Sequence, residues 1–382
     1  MRVLVTGGAG FIGSHTVDRL LDRGHYVRIL DGLLAPVHVE EQLPRHISDR
    51  AEVVQGDIRD RATWELALRD IDAVFHLAAY QDYLPDFSTF FHTNAVSTAL
   101  LYEVIVGQRL GVRRVVVASS QAVFGEGKYL CRKGCVDSRF PHLPGTHFPS
   151  LREDPQLSRG DWDIRCPRCG QRLEPQRTDE SVVNPHNSYA ISKYTQEMIA
   201  LNLGRRYGIP TVCLRYSIVQ GARQSFRNAY SGILRIFTQR LLSAKPPICY
   251  EDGQQMRDYV SVRDVVKANL LVLEDERADF EVFNVGGDRR VTVLEYARFI
   301  ARRTGVDIEP QVPGVYRVGD VRHIFSDVSK LKALGWEPTV PLEDIVDEYV
   351  TWAPSQAGFQ DYYAAAETLM ESVGSIRRVA RR

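Results

Sequence analysis

Tyr189 and Lys193 stand four residues apart at the start of a segment whose apolar pattern predicts a helix, Tyr189-Ala190-Ile191-Ser192-Lys193. Residues four apart share a helix face, so the phenol and the ammonium would project in the same direction. A cation beside a phenol favours the phenolate and lowers its pKa, as a general base working near neutral pH requires. An ordinary aromatic–lysine pair on a helix has the same spacing, and spacing alone does not separate the two interpretations.

Ser119 and Ser120 follow the predicted strand Arg114–Ala118. In an open parallel sheet, ligands bind outside the carboxyl ends of the strands. Ser120 is therefore placed to hydrogen-bond a reacting hydroxyl beside Tyr189. A serine that only caps a turn at a strand end has the same sequence context.

Two cysteine pairs lie between Ser120 and Tyr189, Cys131-x-x-x-Cys135 and Cys166-Pro-Arg-Cys169-Gly170. Their number and the Cys-Pro-x-Cys-Gly turn match a four-thiolate structural zinc site, with a disulfide pair or chance as the competing interpretations. Four thiolates leave no open coordination position, so we expect no catalytic role. Cys213 and Cys249 lie in apolar strand contexts typical of the core.

A glycine-rich turn opens the chain, in the order apolar strand, Gly7, Gly10, Gly13 and then a helix. This order predicts a dinucleotide-binding turn, because the free N–H groups and the positive end of the helix dipole face the pyrophosphate. A second strand ends in Asp31, near the spacing expected for a carboxylate that binds a ribose hydroxyl. Such an acid repels a 2′-phosphate, so the sequence favours NAD over NADP.

Continuous apolar strands separated by amphipathic helices predict an α/β fold, a Rossmann-type doubly wound parallel sheet covered on both faces. We expect a smaller lobe that binds the substrate to follow this sheet, and a zinc-binding insertion to interrupt the domain that contains the sheet. The predicted parts are an NAD-binding domain at 1–215 with the insertion at 128–178, a lobe at 216–355 that interleaves with a last strand near 281–285, and a C-terminal helix with a basic tail at 356–382. The tail SIRRVARR is expected to be solvated, and no function is assigned to it.

The composition excludes several classes of protein. Lys+Arg and Asp+Glu both number 48 in 382 residues, and this balance provides no field to attract nucleic acid or an acidic membrane. No apolar run reaches transmembrane length and the chain opens on a strand, so we expect a cytoplasmic protein.

Taken together, these motifs resemble the extended short-chain dehydrogenase/reductase family, in its nucleotide-sugar epimerase and dehydratase group. Leu214-Arg215-Tyr216 and Glu251-Asp252-Gly253-x-x-x-Arg257-Asp258 add to the likeness, which covers the chain to about Pro338. The layout from Arg159 to Tyr189 looks most like the dTDP-L-rhamnose 4-epimerase type within that group.

The resemblance implies a role for each matching position. Tyr189 would be the catalytic base, Lys193 would tune it and bind the nicotinamide ribose, Ser120 would orient the sugar hydroxyl, and Arg257 would bind the substrate pyrophosphate. The implied cofactor-binding residues are Gly7, Gly10, Phe11, Ile12, Gly13, Asp31, Asp57, Ile58, Leu77, Ala78, Ala79, Asn94, Ser119, Tyr189 and Lys193. The implied substrate contacts are Gln81, Ser120, Gln121, Asn228 and Arg257.

The implied reaction is oxidation of a nucleotide-diphosphate sugar, at C4, by tightly bound NAD+. Epimerisation through a transient 4-keto sugar is favoured, because Gln121 and Ala122 stand where similar dehydratases carry an Asp-Glu pair. A 4,6-dehydratase or decarboxylase of the same family, and a non-catalytic NAD-binding scaffold, are the alternatives. Similar enzymes are often dimers, so we expect a homodimer.

Overall fold

Seven parallel strands form the centre of the computed structural model, which describes residues 1–38, 42–82, 84–225, 227 and 232–380. Their order across the sheet is β13-β9-β5-β4-β1-β2-β3, and every neighbouring pair runs parallel. The winding reverses between β1 and β4, which leaves a crevice at the carboxyl ends of these strands. The predicted doubly wound α/β fold is confirmed.

In chain order the strands are β1 (Arg2–Thr6), β2 (Tyr26–Asp31), β3 (Glu52–Gln55), β4 (Ala73–His76), β5 (Arg114–Ser120), β6 (Tyr129–Leu130), β7 (Thr146–His147), β8 (Glu174–Pro175), β9 (Thr211–Tyr216), β10 (Ile218–Gln220), β11 (Met256–Arg257), β12 (Tyr259–Ser261), β13 (Val282–Val285), β14 (Val291–Thr292), β15 (Val315–Arg317) and β16 (Ile376–Arg378).

The α-helices are α1 (Phe11–Asp22), α2 (Arg61–Ala67), α3 (Phe87–Phe90), α4 (Ser97–Gly107), α5 (Asp154–Leu157), α6 (Ser188–Tyr207), α7 (Ile233–Leu242), α8 (Val262–Glu274), α9 (Val293–Thr304), α10 (Ser329–Lys332), α11 (Leu342–Trp352) and α12 (Tyr363–Ser372). A π-helix (Phe91–Val96) joins α3 to α4, and short 3-10 helices cover Gln121–Phe124, Glu276–Ala278 and Ala353–Ser355.

Alternate residues of the central strands enter two separate cores, because successive side chains of a strand point to opposite faces. Val3 and Val5 of β1 pack on the face covered by α1 and α8, whereas Leu4 packs on the face covered by α2, α4 and α6. Helices therefore cover both faces of the sheet, as the continuous apolar strands predict.

The residues after β9 build a third core from α7, α9 and α11, around Phe237, Tyr296 and Tyr349. Between these helices the chain returns to the sheet to add β13 at its edge. A small antiparallel sheet, β7-β6-β8, lies inside the predicted insertion. The predicted domain boundaries are not tested by this arrangement.

The C-terminus differs from the expected C-terminal helix with a solvated basic tail at 356–382. Helix α12 ends at Ser372, and Gly374 has a positive φ of 69°. Ile376–Arg378 then form a strand, β16, that pairs antiparallel with β15. No sequence pattern indicates this pairing, because the two strands lie about sixty residues apart and each is only three residues long.

Within the described part of the chain, every helix is too short or too polar to cross a membrane.

Candidate active site

The crevice at the carboxyl ends of the strands opens into a cavity of about 780 Å³. One part, which we call the glycine-loop end, is lined by Gly7, Gly10, Asp31 and Asp57. Another part, the lobe end, is lined by residues that follow β9, among them Tyr250, Arg257 and Arg317. Ser120 and Tyr189 line the same cavity, so the predicted chemistry and the predicted binding turn share one space.

The glycine loop lies where β1 passes into α1. Gly7 has a φ of +66°, and a Cβ there would lie 2.9 Å from the backbone of Ala78. A Cβ on Gly13 would lie 2.0 Å from the carbonyl oxygen of Gly7. Helix α1 begins after Gly10 without a side-chain cap, so its first N–H groups remain available to an anion.

Two acids stand at the ends of the neighbouring strands. Asp31 accepts hydrogen bonds from the backbone N–H groups of Ala9 (3.0 Å) and Leu33 (2.9 Å), which hold its carboxylate beside the glycine loop. Asp57 binds the guanidinium of Arg59, and this hydrogen bonding lowers its pKa. The other predicted cofactor contacts that line the cavity are Phe11, Ile12, Ile58, Leu77, Ala78, Ala79 and Ser119.

Tyr189 and Lys193 lie in the first turns of α6, whose N-terminus is capped by the side chain of Asn187 accepting from the N–H of Ala190 (2.8 Å). Both side chains are buried, unlike an ordinary pair on a helix surface. The Nζ of Lys193 donates to the carbonyl oxygen of Ala118 (2.6 Å) and to Oε1 of Gln196 (2.8 Å). Burial lowers the pKa of Lys193 to about 7.

The two serines at the end of β5 have different partners. Ser120 Oγ accepts from the N–H of Ala122 (3.1 Å), so it caps the following turn and lines the cavity as well. Ser119 Oγ donates to the carboxylate of Glu197, which also holds the guanidinium of Arg215 in a two-point contact of 2.8 Å each. This buried group fixes β5, β9 and α6 relative to one another.

Asn94 is predicted to bind the cofactor, but its side chain does not line the cavity. It lies in the π-helix, fully buried, where Oδ1 accepts from the N–H of Tyr80 and Nδ2 donates to Ser192 Oγ. Asn94 therefore ties the loop after β4 to the helix that carries Tyr189. Lys193 likewise stands behind the lining residues rather than among them.

Gln81 and Gln121 line the cavity as predicted substrate contacts would. Gln121 is buried, and its Oε1 has no hydrogen-bond partner in the described structure. The same holds for Nε2 of His186, a lining residue that the sequence reasoning missed. Only its position three residues before Tyr189 could have pointed to it.

Arg257, the predicted pyrophosphate contact, lines the lobe end. Its guanidinium donates to the carbonyl oxygens of Met256 (3.0 Å), Val321 (2.9 Å) and Arg322 (3.0 Å). Asn228, another of the implied substrate contacts, lies outside the described residues. Other lining residues carry no local motif and were missed, including Leu151, Tyr250, Arg317, Tyr363 and Met370.

Buried ion pairs join the insertion to the lobe. Arg152 donates to Glu251 (2.8 Å), and Arg322 donates to the same carboxylate (2.8 Å). Glu126 accepts from the backbone N–H of Arg322 (2.8 Å), and it lies 3.5 Å from the Arg152 guanidinium. Burial raises the pKa of Glu126 to about 7, although Arg152 opposes the shift.

The four predicted metal ligands come together in the insertion. The Sγ atoms of Cys131, Cys135, Cys166 and Cys169 all lie within 4.8 Å of one another, and those of Cys131 and Cys169 are 3.7 Å apart. All four are free thiols, so the disulfide interpretation does not describe them. Cys213 and Cys249 are fully buried, as expected of core residues.

Comparisons with known proteins agree with this geometry. The sequence model of the NAD dependent epimerase/dehydratase family matches residues 3–140 and 168–286. The dTDP-L-rhamnose 4-epimerase of Burkholderia thailandensis is 33% identical over 357 residues, which cover 92% of this chain and 94% of that enzyme.

Two solved structures show the same fold. The UDP-glucose 4-epimerase of Thermotoga maritima, crystallised with UDP-glucose, has a TM-score of 0.72 and 32% identity, covering 92% of this chain and 98% of that one. The UDP-glucose 4-epimerase of Thermus thermophilus in complex with NAD has a TM-score of 0.71 and 28% identity, covering 94% and 100%.

Proposed function

The chain belongs to the NAD dependent epimerase/dehydratase family, and we propose that it is a nucleotide-sugar 4-epimerase that works through a transient 4-keto sugar. One observation carries the proposal. Tyr189 and Ser120 line the same cavity as the glycine loop and Arg257, whereas the turn after Ser120 holds no acid.

The glycine-loop end fits NAD+. A Cβ on Gly13 would meet the Gly7 carbonyl, so the tight turn that leaves the N–H groups of α1 open to a pyrophosphate depends on glycine. Asp31, fixed by two backbone N–H groups, presents a carboxylate suited to ribose hydroxyls. Bound there, the cofactor would supply a hydride acceptor for the sugar carbon in its oxidised form and a hydride donor for the opposite face of the ketone in its reduced form.

Side chains of this protein transfer the proton of the sugar hydroxyl. The Tyr189 oxygen takes the proton of the sugar hydroxyl and later returns it. Ser120 Oγ, which accepts from Ala122, donates its own proton to the same hydroxyl oxygen. The buried ammonium of Lys193, held by Ala118 and Gln196, favours the phenolate of Tyr189 by its charge.

The lobe end would hold the rest of the substrate. Three carbonyl oxygens fix the guanidinium of Arg257, and a fixed guanidinium is suited to a pyrophosphate. Gln121 and His186 line the cavity beside Ser120 and Tyr189, and each carries a buried polar atom without a hydrogen-bond partner among the described residues.

Dehydration is the competing reaction in this family. Elimination of water needs an acid and a base beside the sugar, and Gln121 and Ala122 can supply neither. The sequence of this turn therefore favours epimerisation over the 4,6-dehydratase and decarboxylase alternatives.

The test is incubation of the purified protein with UDP- and dTDP-sugars without added NADH, followed by NMR and mass spectrometry. We expect the 4-epimer of one sugar at unchanged mass, with no net change in nicotinamide absorbance. A product lighter by water would establish a dehydratase, and one lighter by CO2 a decarboxylase. NAD+ bound without turnover of any sugar would favour the scaffold alternative.

We also propose that Cys131, Cys135, Cys166 and Cys169 bind a structural zinc ion. Tetrahedral thiolates at about 2.3 Å from zinc lie about 3.8 Å from one another, close to the 3.7 Å between the Sγ atoms of Cys131 and Cys169, and all four Sγ atoms lie within 4.8 Å of one another. The backbone N–H of Gly170 donates to the carbonyl oxygen of Cys166 (2.9 Å), which closes the turn that brings Cys169 to the cluster. Zinc would stabilise a segment with few apolar side chains.

Metal analysis of protein purified without chelator tests the zinc site. We expect one zinc per chain, lost in Cys166→Ser and retained in Cys249→Ser, a buried cysteine outside the cluster. Protein without stoichiometric zinc would reject the assignment.

Finally, we propose that the protein is a homodimer through α4 and α6. Ile191 and Met198 are exposed on α6, seven residues apart on one face of the helix, and Val96 is exposed beside α4. Apolar side chains grouped in this way favour a protein–protein contact. Native mass spectrometry should show a dimer for the parent and a weakened dimer for Met198→Glu.

A further inference from the structure

We propose that residues 361–378, which we call the C-terminal segment, form a wall of the substrate site that holds the nucleoside diphosphate part of a nucleotide sugar. This inference rests on the proposed function, since it concerns one end of the same substrate. The segment consists of α12 and β16, and it follows the part of the chain that the sequence motifs cover.

One face of α12 lines the cavity. Tyr363, Ala366 and Met370 all border it, at a spacing that places them on a single side of the helix. Tyr363 and Met370 are each 5% exposed, whereas Leu369, next to Met370, is 44% exposed. The helix thus presents an aromatic ring and a thioether to the cavity and other side chains to solvent.

Three contacts fix the segment in place. Lys245, beyond the end of α7, binds Asp361 (2.9 Å). Strand β16 pairs with β15, and Arg377 binds Asp154 of α5 (2.7 Å). The segment is therefore connected to the lobe on one side and to the insertion on the other.

The inner face of α12 meets the cationic and aromatic part of the lobe end. Arg317 donates to the Sδ of Met370 (3.5 Å), and its guanidinium lies 5.5 Å from the centre of the Tyr250 ring. The hydroxyls of Tyr250 and Tyr363 are 3.5 Å apart. A guanidinium beside two phenol rings and a thioether suits a phosphate followed by a flat base.

The position of the reacting carbon determines which part of the nucleotide sugar contacts the C-terminal segment. The sugar must reach Tyr189 and Ser120, which lie at the carboxyl ends of the parallel strands. Helix α12 lies instead at the lobe end, among residues that follow β9. In a nucleotide sugar the base and the sugar are at opposite ends of the diphosphate. The C-terminal segment therefore contacts the nucleoside diphosphate and not the reacting sugar.

Calorimetric titration of the NAD-loaded protein with UDP and with dTDP tests the wall. Met370→Ala should weaken binding of the preferred nucleotide by about 5- to 10-fold. Leu369→Ala, one residue away on the exposed side, should bind as the parent does. A chain ending at residue 356 should lose more than about tenfold, with its bound NAD retained.

The outcomes separate this inference from the proposed function. Suppose that the parent binds UDP or dTDP and that Met370→Ala and the shortened chain bind it equally well. In that case the C-terminal segment does not contact the nucleoside diphosphate, and the proposed substrate class stands. If the parent binds neither nucleotide, both are wrong. Thermal melting of each variant identifies a loss of binding that comes from unfolding, and Met370→Ala remains the deciding variant where the shortened chain does not fold.

Discussion

The two ends of the cavity are built by different means. At the glycine-loop end, backbone groups form most of the wall. Gly7, Gly13 and the first turn of α1 shape the space, and Asp31 accepts hydrogen bonds from two backbone N–H groups. At the lobe end, buried arginines hold loops together, as Arg257 and Arg322 do through carbonyl and carboxylate oxygens.

This difference teaches how each end responds to change. A backbone cradle depends on the space between chain segments, so it is sensitive to a single added methyl group. A lobe held by buried charges depends on the protonation and pairing of its carboxylates, so it is sensitive to pH.

Tyr189→Phe should have the largest effect on activity. Tyr189 is the proposed general base, and it lies where the cofactor at one end of the cavity meets the substrate at the other. Loss of a positioned general base lowers kcat by about 10²- to 10⁴-fold. Bound NAD and the melting temperature should stay close to those of the parent. Tyr207→Phe, an exposed tyrosine at the end of the same helix, is the control and should retain full activity. Parental activity in Tyr189→Phe would remove the assignment of the base.

Gly13→Ala should affect the glycine-loop end alone. The new Cβ would lie 2.0 Å from the Gly7 carbonyl oxygen, so the turn must open and the bound NAD should fall by about tenfold or more. Gly111→Ala meets no atom within 4 Å and should retain NAD. The amount of NAD released on denaturation measures both. Equal amounts of bound NAD in the two variants would contradict the claim that this glycine turn binds NAD.

Glu126→Gln should change the pH dependence of the free energy of unfolding, because Glu126 belongs to the buried ion pairs that join the insertion to the lobe. Burial raises the pKa of Glu126 from 4.5 to about 7, so its contribution to stability is present below pH 4.5 and is lost as the pH rises through 7. Between pH 5 and 7.5 the parent should therefore lose about 1 to 3 kcal/mol relative to Glu126→Gln. Urea unfolding at the two pH values measures the difference.

Glu309→Gln is the control for that experiment, because the Glu309 side chain is 75% exposed. It should follow the parent at both pH values. A parallel pH response in the parent and in Glu126→Gln would mean that Glu126 titrates in the folded protein as it does in the unfolded chain.

The sequence predicted the sheet because most of its strands are continuous apolar runs, such as residues 3–5 in β1 and 115–118 in β5. It also predicted the residues that a local motif carries, such as Gly13, Tyr189 and the four cysteines. Each of these motifs consists of residues close in the chain, and the number of cysteines joins their two pairs into one predicted site. Residue type and spacing are therefore enough to find them.

Apart from Arg257, which the family resemblance implies, the lobe end could not be predicted in the same way. Glu126 and the backbone of Arg322 are 196 residues apart, and Arg152 and Glu251 are 99 apart. No periodicity records such pairs. The strand Ile376–Arg378 likewise escapes prediction from the sequence, because its partner, Val315–Arg317, lies in a different part of the chain.

Transfer of a label at the reacting carbon tests the central claim most directly, that one cavity oxidises and reduces the same carbon. A nucleotide sugar accepted by the protein, carrying deuterium at C4, would be incubated in ordinary water and its epimer examined by NMR. The account predicts an epimer that keeps the deuterium at C4. Epimer with the label exchanged for solvent hydrogen would contradict it.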